Sequence, residues 1–160
     1  MPRYRASFNK NSARKEFYAQ ASVRVKIALS AEYYLEAIAL IESLISDRLE
    51  SYIEKETQQS DGFRDLGRNI RTAKRHANNS SITGVEELSA CLEEIDNWRP
   101  IRNRLLHEAV KLEDGQPKSW NDMMAAAKQA AYDGEKLFRD LNNAVRKIKN
   151  NRQKRLSLTE

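Results

Sequence analysis

The stretch AEYYLEAIALIESLISDRLESYIEKE, residues 31–56, decides the fold. Leu35, Ile38, Ile41, Leu44, Ile45, Leu49, Tyr52 and Ile53 recur at mostly three- and four-residue spacing, so a helix gathers them into one apolar stripe while the charged residues fall on the other side. At about 1.5 Å per residue such a helix crosses a whole domain. Ser30, just before it, reads as a break or a cap, and the periodicity leaves open whether residues 13–56 form one helix or two.

Outward from this stripe the pattern stays helical. Upstream, Asn11 or Ser12 is a cap for a helix from about 13 to 28. Downstream, Gln58 to Gly62 reads as a turn, and Phe63, Leu66 and Ile70 lead a short basic helix to about His76. Thr83 and Glu86 form a capping-box pattern before a helix whose inner face is Val85, Leu88, Leu92 and Ile95. Pro100 ends, kinks or restarts that helix, with a continuation to about 111. Glu113 to Lys118 is a loop, and Ser119 with Asp122 resembles a further cap. A last helix then runs from about 120 to 149, its core made by Met123, Ala127, Ala130, Leu137, Leu141, Ala144, Val145 and Ile148. With only five Gly and three Pro in 160 residues, an all-β chain would lack turns. The expected fold is an all-α, antiparallel up-down bundle of four to five helices with a bent third segment near Pro100. Residues 1–11 read as a loose basic N-terminus, 12–149 as the helical domain and 150–160 as a basic C-terminal tail.

No apolar run is long enough to cross a membrane, and the first fifteen residues carry no apolar leader segment. The one cysteine, Cys91, lies among Leu88, Leu92 and Ile95 and reads as a small buried apolar side chain. These features point to a reducing, cytoplasmic setting. Glu93, Glu94 and Asp96 read as solvated helix surface, and no cofactor or metal motif is present. Trp98 and Trp120 read first as core or interface anchors and second as stacking platforms for bases.

The net charge of +5 is unevenly spread. Residues 1–29 carry seven cations and one anion, residues 139–155 seven and one, and residues 31–56 two cations and seven anions. Arg64, Arg68, Arg71 and Arg75 recur at three or four residues and make one basic stripe that can track an RNA backbone. Arg104, beside the motif below, is a further candidate for phosphate, with solvent as the alternative.

Only two histidines are present, and both follow an arginine by five residues. Arg71–His76 has Thr72 after the arginine. Arg102–His107 has Asn103 there, in the segment Arg-Asn-Arg-Leu-Leu-His. Five residues of helix give about 7.5 Å of rise and about 140° of rotation, so Arg102 and His107 can approach one phosphate from two sides. Asn103 and His107 share a face, and Ile101 and Leu105 are expected to anchor the opposite side to the core. The chemistry fits RNA cleavage without metal. A base takes the 2′-OH proton, the oxygen attacks the adjacent phosphorus, and an acid protonates the leaving 5′ oxygen. Imidazole can serve either role near neutrality, and guanidinium stabilises the charge that grows on phosphate. DNA lacks the 2′-OH and is spared.

With this motif near the end of the third helical segment, the chain resembles the HEPN family over roughly residues 30–149. The resemblance implies a helical endoribonuclease in which Arg102, Asn103 and His107 form the site. It implies a homodimer whose two motifs line one cleft, and a role as a toxin or phage-defence effector, with an antitoxin or regulatory protein as a partner. The Tyr that some toxins of this family carry two residues after the His is Ala109 here, which departs from that branch. A catalytically silent module that binds RNA or protein is the alternative.

Overall fold

The computed structural model describes residues 10–58, 65–108 and 119–157. These residues form five helices: α1 (Lys10–Ser30), α2 (Tyr34–Thr57), α3 (Leu66–Asn78), α4 (Val85–His107) and α5 (Trp120–Ser157). No strand occurs among them. The stripe-bearing helix is the hub. Helix α2 packs against α1, α3 and α5 and touches α4. Every stripe residue is buried except Leu35, which is half-buried against the same core.

The chain between 13 and 56 is two helices. Glu32 adopts a left-handed conformation at φ 62°. The Tyr33 amide donates to the Ala28 carbonyl at 2.8 Å and the Glu32 amide to the Leu29 carbonyl at 3.2 Å. This is the paired hydrogen-bonding of a Schellman turn, made without the glycine that usually announces it. It folds α1 back on α2, where Arg24 pairs with Glu36 at 2.7 Å and Arg14 with Asp47 at 3.1 Å.

Helices α4 and α5 are likewise antiparallel. Trp98 Nε1 donates to the Ala130 carbonyl at 2.8 Å, and Lys147 pairs with Glu87 a few turns away. Helix α3 lies antiparallel on α4, tied by Lys74 to Glu93 and Asp96 at 2.9 Å each. Asp96, which also meets Arg99, is therefore an inter-helix partner and not free surface. Helices α2 and α5 run in the same sense, with Ile41 beside Gly134 and Glu56 paired with Arg152 at 2.6 Å.

Several boundaries differ from expectation. Helix α1 begins at Lys10, ahead of the Asn11 or Ser12 cap. The Thr83–Glu86 capping box does not form: Gly84 is the N-cap, at φ 101°, which starts α4 one residue later than the box requires. Helix α4 runs unbroken through Pro100, whose ring is exposed while Trp98, Arg102 and Leu105 on the inner side hold the helix in place. Helix α5 continues to Ser157, so the segment after Asn150 is helix through that residue. Asn151 donates to the Thr83 carbonyl at 2.6 Å, which fastens it. The Ser119 cap is present: its hydroxyl accepts from the Asp122 amide at 3.4 Å. Phe63, the turn after Gln58, the loop 113–118 and Ala109 lie outside the described residues. Among those described, no helix is long and apolar enough to cross a membrane.

Candidate functional site

The last turns of α4 divide their side chains sharply. Arg102 is 6% exposed, Asn103 is half-buried, and Ile101, Arg104 and His107 are exposed. Ile101, at 51% exposure, does not anchor to the core as expected; Leu105 does. The reason is rotational: Trp98, Arg102 and Leu105 follow each other at four and three residues and fill the inner face, leaving Ile101 on the flank.

Arg102 is held by Glu42 of α2, a partner that sequence reading missed. Glu42 lies one residue after Ile41 in the apolar stripe, and a carboxylate at the margin of such a stripe was the available signal. A buried guanidinium requires a counter-charge, because desolvation otherwise disfavours its charged form. Burial pulls the Arg102 pKa below its ordinary value, Glu42 opposes that, and Arg99 adds to it. The Arg102 Nε stays buried without a hydrogen-bond partner.

A cleft of about 560 Å³ opens beside this pair. Helix α2 supplies Glu42, Ser43, Ser46, Asp47 and Glu50 to its wall, the start of α3 supplies Asp65, Leu66 and Gly67, and α4 supplies Arg99, Arg102 and Asn103. Each carboxylate has work within the fold. Glu42 takes Arg102; Asp47 takes Arg14 and the Tyr18 hydroxyl; Glu50 accepts from the fully buried Asn69 at 3.2 Å. Asp65 caps α3 by accepting from the Arg68 amide at 2.9 Å, and that bond is the chief reason its pKa lies below the usual carboxylate value.

Gly67 carries the closest approach in the cleft. A side chain there would start 3.1 Å from Asp65 Oδ1, 3.4 Å from Arg71 Nη1 and 3.5 Å from Arg99 Nη1. Only the Asp65 oxygen is tight against that position; the two guanidinium groups, at ordinary contact distance, converge on the first turn of α3, where helix amides favour an anion. Arg71 thus joins the cleft margin from the basic stripe. Arg68 and Arg75 are exposed on the same helix, and Arg64 lies outside the described residues.

Among the expected site residues, the fold brings Arg102 and Asn103 to one cleft with Arg99, and leaves His107 on the exposed final turn of α4, outside the cleft lining. His76 sits half-buried near the end of α3, apart from that lining. Trp98 is core, 3% exposed with its indole N–H satisfied, and Trp120 is 59% exposed. Cys91 is buried, its thiol 3.8 Å from the Leu137 carbonyl, with burial pushing its pKa up to about 12. No group of three or more His, Cys, Asp or Glu among the described residues is placed to hold a metal ion. In comparisons with protein-family models, curated proteins and solved structures, no match to this chain was found.

Proposed function

We propose that the protein is an endoribonuclease of the HEPN type that cleaves RNA through its own 2′-OH without a metal ion. The observation that carries this reading is the arrangement at the end of α4. Arg102 is fixed by Glu42 at the wall of a cleft, Asn103 lines the same cleft, and His107 stands exposed on the last turn of the same helix. In the proposed reaction His107 transfers the proton, Arg102 stabilises the phosphate, and Asn103 orients the histidine or the substrate. Arg68, Arg71, Arg75 and Arg104 contact neighbouring phosphates, with Arg64 continuing their line in the sequence.

One imidazole is poorly suited to act as base and acid in the same displacement. A homodimer supplies two, and the exposed Ile101 beside the motif offers apolar surface for such pairing. The proposed setting is a cytoplasmic toxin or phage-defence effector, with an antitoxin or regulatory protein as a further partner. One observation favours a second reading, a silent module that binds RNA or protein: the Arg102 charge is already matched by Glu42 and is not presented bare to a phosphate.

The test is cleavage of a mixed single-stranded and structured RNA in excess EDTA by the parent and by His107→Ala. The proposal expects cleavage by the parent alone, leaving cyclic phosphate ends. Equal cleavage by both proteins removes His107 from the site. Binding without cleavage by either favours the silent module.

A further inference from the structure

The basic stripe on α3 is not the only surface on which cations gather. A groove lies between α1 and α5 with α2 as its floor, and three ladders of residues run through and beyond it. On α1, Arg14, Tyr18, Ser22 and Lys26 recur every fourth residue. On α2, Ile41, Leu44, Arg48 and Lys55 follow at three, four and seven, and on α5, Arg139, Asn142, Arg146 and Lys149 follow at three, four and three. No residue of α3 takes part.

This groove is a cavity of about 340 Å³. Its floor is apolar, from Val25, Ile41, Leu44 and the half-buried ring of Phe138. Its rim carries Lys26, Arg139 and Arg146, none of which is in an ion pair among the described residues, against the single carboxylate of Glu135. Asn142 also lines it, with a buried Oδ1 that has no hydrogen-bond partner. Beyond the cavity stands an aromatic step. The Tyr18 ring lies 6.1 Å from that of Phe138, and the Arg48 guanidinium sits 4.8 Å over Tyr18. Past that step Lys55 feels the charges of Lys149, Arg48, Arg14 and Arg152; burial first, and then those cations, hold its pKa below the ordinary value. Arg14 and Arg152 are matched by carboxylates there, whereas Lys55 and Lys149 are in no ion pair among the described residues.

The occupant must satisfy three demands at once. It needs a flat apolar face for the floor, negative charge for the rim, and a hydrogen-bond donor for Asn142 Oδ1. An acyl carboxylate lacks the donor and a bare phosphate lacks the face. A nucleotide has all three: a base to lie on the aromatic floor, an amino or imino edge, and a phosphate. The cations continue from Arg139 to Lys149, about 15 Å along α5, so the track serves a strand and not a single unit.

We infer that the groove between α1 and α5 binds a single-stranded polynucleotide, seating one base beside Phe138 with its donor edge on Asn142 and its backbone along Lys26, Arg139, Arg146 and Lys149. The contacts that carry this placement are to base and phosphate, so RNA and DNA strands of one sequence are expected to bind within a few-fold of each other. The site is separate from Arg102 and His107 and stands whether or not the chain cleaves RNA.

The experiment is fluorescence anisotropy with a short, unstructured, labelled 2′-O-methyl oligoribonucleotide, which lacks the attacking hydroxyl and survives any ribonuclease activity, and with DNA of the same sequence. Arg139→Ala with Arg146→Ala is expected to weaken binding about 10-fold or more. It should also flatten the dependence of log K on log salt by about 1.4, since each phosphate contact on a single strand contributes roughly 0.7. Asn142→Ala is expected to weaken binding a few-fold with the salt slope unchanged. Arg68→Ala, Arg71→Ala and Arg75→Ala together should cost less than the α5 pair. Helicity and Tm equal to the parent's exclude unfolding as the cause, and Arg139→Lys with Arg146→Lys should restore the slope. The inference is overturned if the parent binds neither strand at low salt, if the α5 pair binds like the parent, or if polyglutamate competes as well as the unlabelled oligonucleotide.

Discussion

Trp98 and Arg102 stand one turn apart on the inner face of α4, and both are buried, yet the fold treats them differently. Around Trp98 every demand is met. Its indole N–H reaches the Ala130 carbonyl, and its ring presses on Gly134 so closely that a Cβ there would lie 2.7 Å from Cζ2. Ile41 closes the same junction from α2, 3.1 Å from that position. Around Arg102 the demands are only partly met: Glu42 balances the charge, Nε is left without a partner, and a cleft opens alongside. A single turn of helix separates a junction built for stability from one that keeps unspent hydrogen-bonding capacity, the arrangement expected where a ligand binds.

The contrast yields predictions, strongest first. Trp98→Ala removes the ring that joins α4 to α5 and should cost about 3–5 kcal/mol, the range for deleting a large buried aromatic, read as the urea midpoint. Glu42→Gln strands the buried Arg102 charge and should cost about 3 kcal/mol, the low end for a broken buried pair because the Glu42 side chain keeps 26% of its exposure. Adding Arg102→Met to Glu42→Gln should recover most of that loss; if it does not, Glu42 stabilises the fold by some route other than the pair.

Gly134→Ala pits two small effects against each other. Helix propensity favours alanine by about 1 kcal/mol, and overpacking against Trp98 costs about 1–3 kcal/mol, so the parent should be destabilised slightly. In a Trp98→Ala background the 2.7 Å clash is gone, Ile41 at 3.1 Å has the space left by the ring to shift into, and the same substitution should stabilise. An unchanged sign would break the account of this junction. His107→Ala should leave stability within about 0.5 kcal/mol, as an exposed helix-end substitution does, while removing RNA cleavage.

Alkaline pH probes the packed side. Cys91 titrates at about 12 in the folded chain against an ordinary 9.0. A raised folded value means its contribution to stability is complete below pH 9 and is lost as the pH climbs to about 12. Midpoints measured across that window should fall less steeply in Cys91→Ala, and iodoacetamide at pH 8 should not label the native thiol.

The core was legible because burial repeats with the helix. Most buried positions of α2, α4 and α5 are those the three- and four-residue spacing picked out, with Leu35 only half-buried and Tyr34, Ala37, Arg102 and Ala131 buried without belonging to the expected core; a long stripe averages over such exceptions. Helix ends were harder. Glu32 takes the left-handed turn position usually held by glycine, so the break between α1 and α2 had only Ser30 to signal it. That Trp98 and Ile41 come to rest on Gly134 is likewise nothing the spacing along α5 shows. In the candidate site, Arg102, Asn103 and His107 could be picked from their spacing together with the family resemblance, whereas Glu42, sixty residues from Arg102, could not be paired with it, since spacing along one helix says nothing about which turn of another will face it.

By itself the sequence determined a helical chain with one dominant apolar face, a buried cysteine and an Arg-Asn-x-x-x-His segment late in the third helical stretch. These are local periodicities and residue chemistries, which hold whatever the neighbours are. The tertiary structure alone decided that Arg102 turns inward to Glu42 while His107 turns out, that Arg71 and Arg99 both approach Gly67, and that cations from α1 and α5 rim one cavity. Each of these depends on how one helix is rotated and offset against another, and that is set by close packing of the whole core.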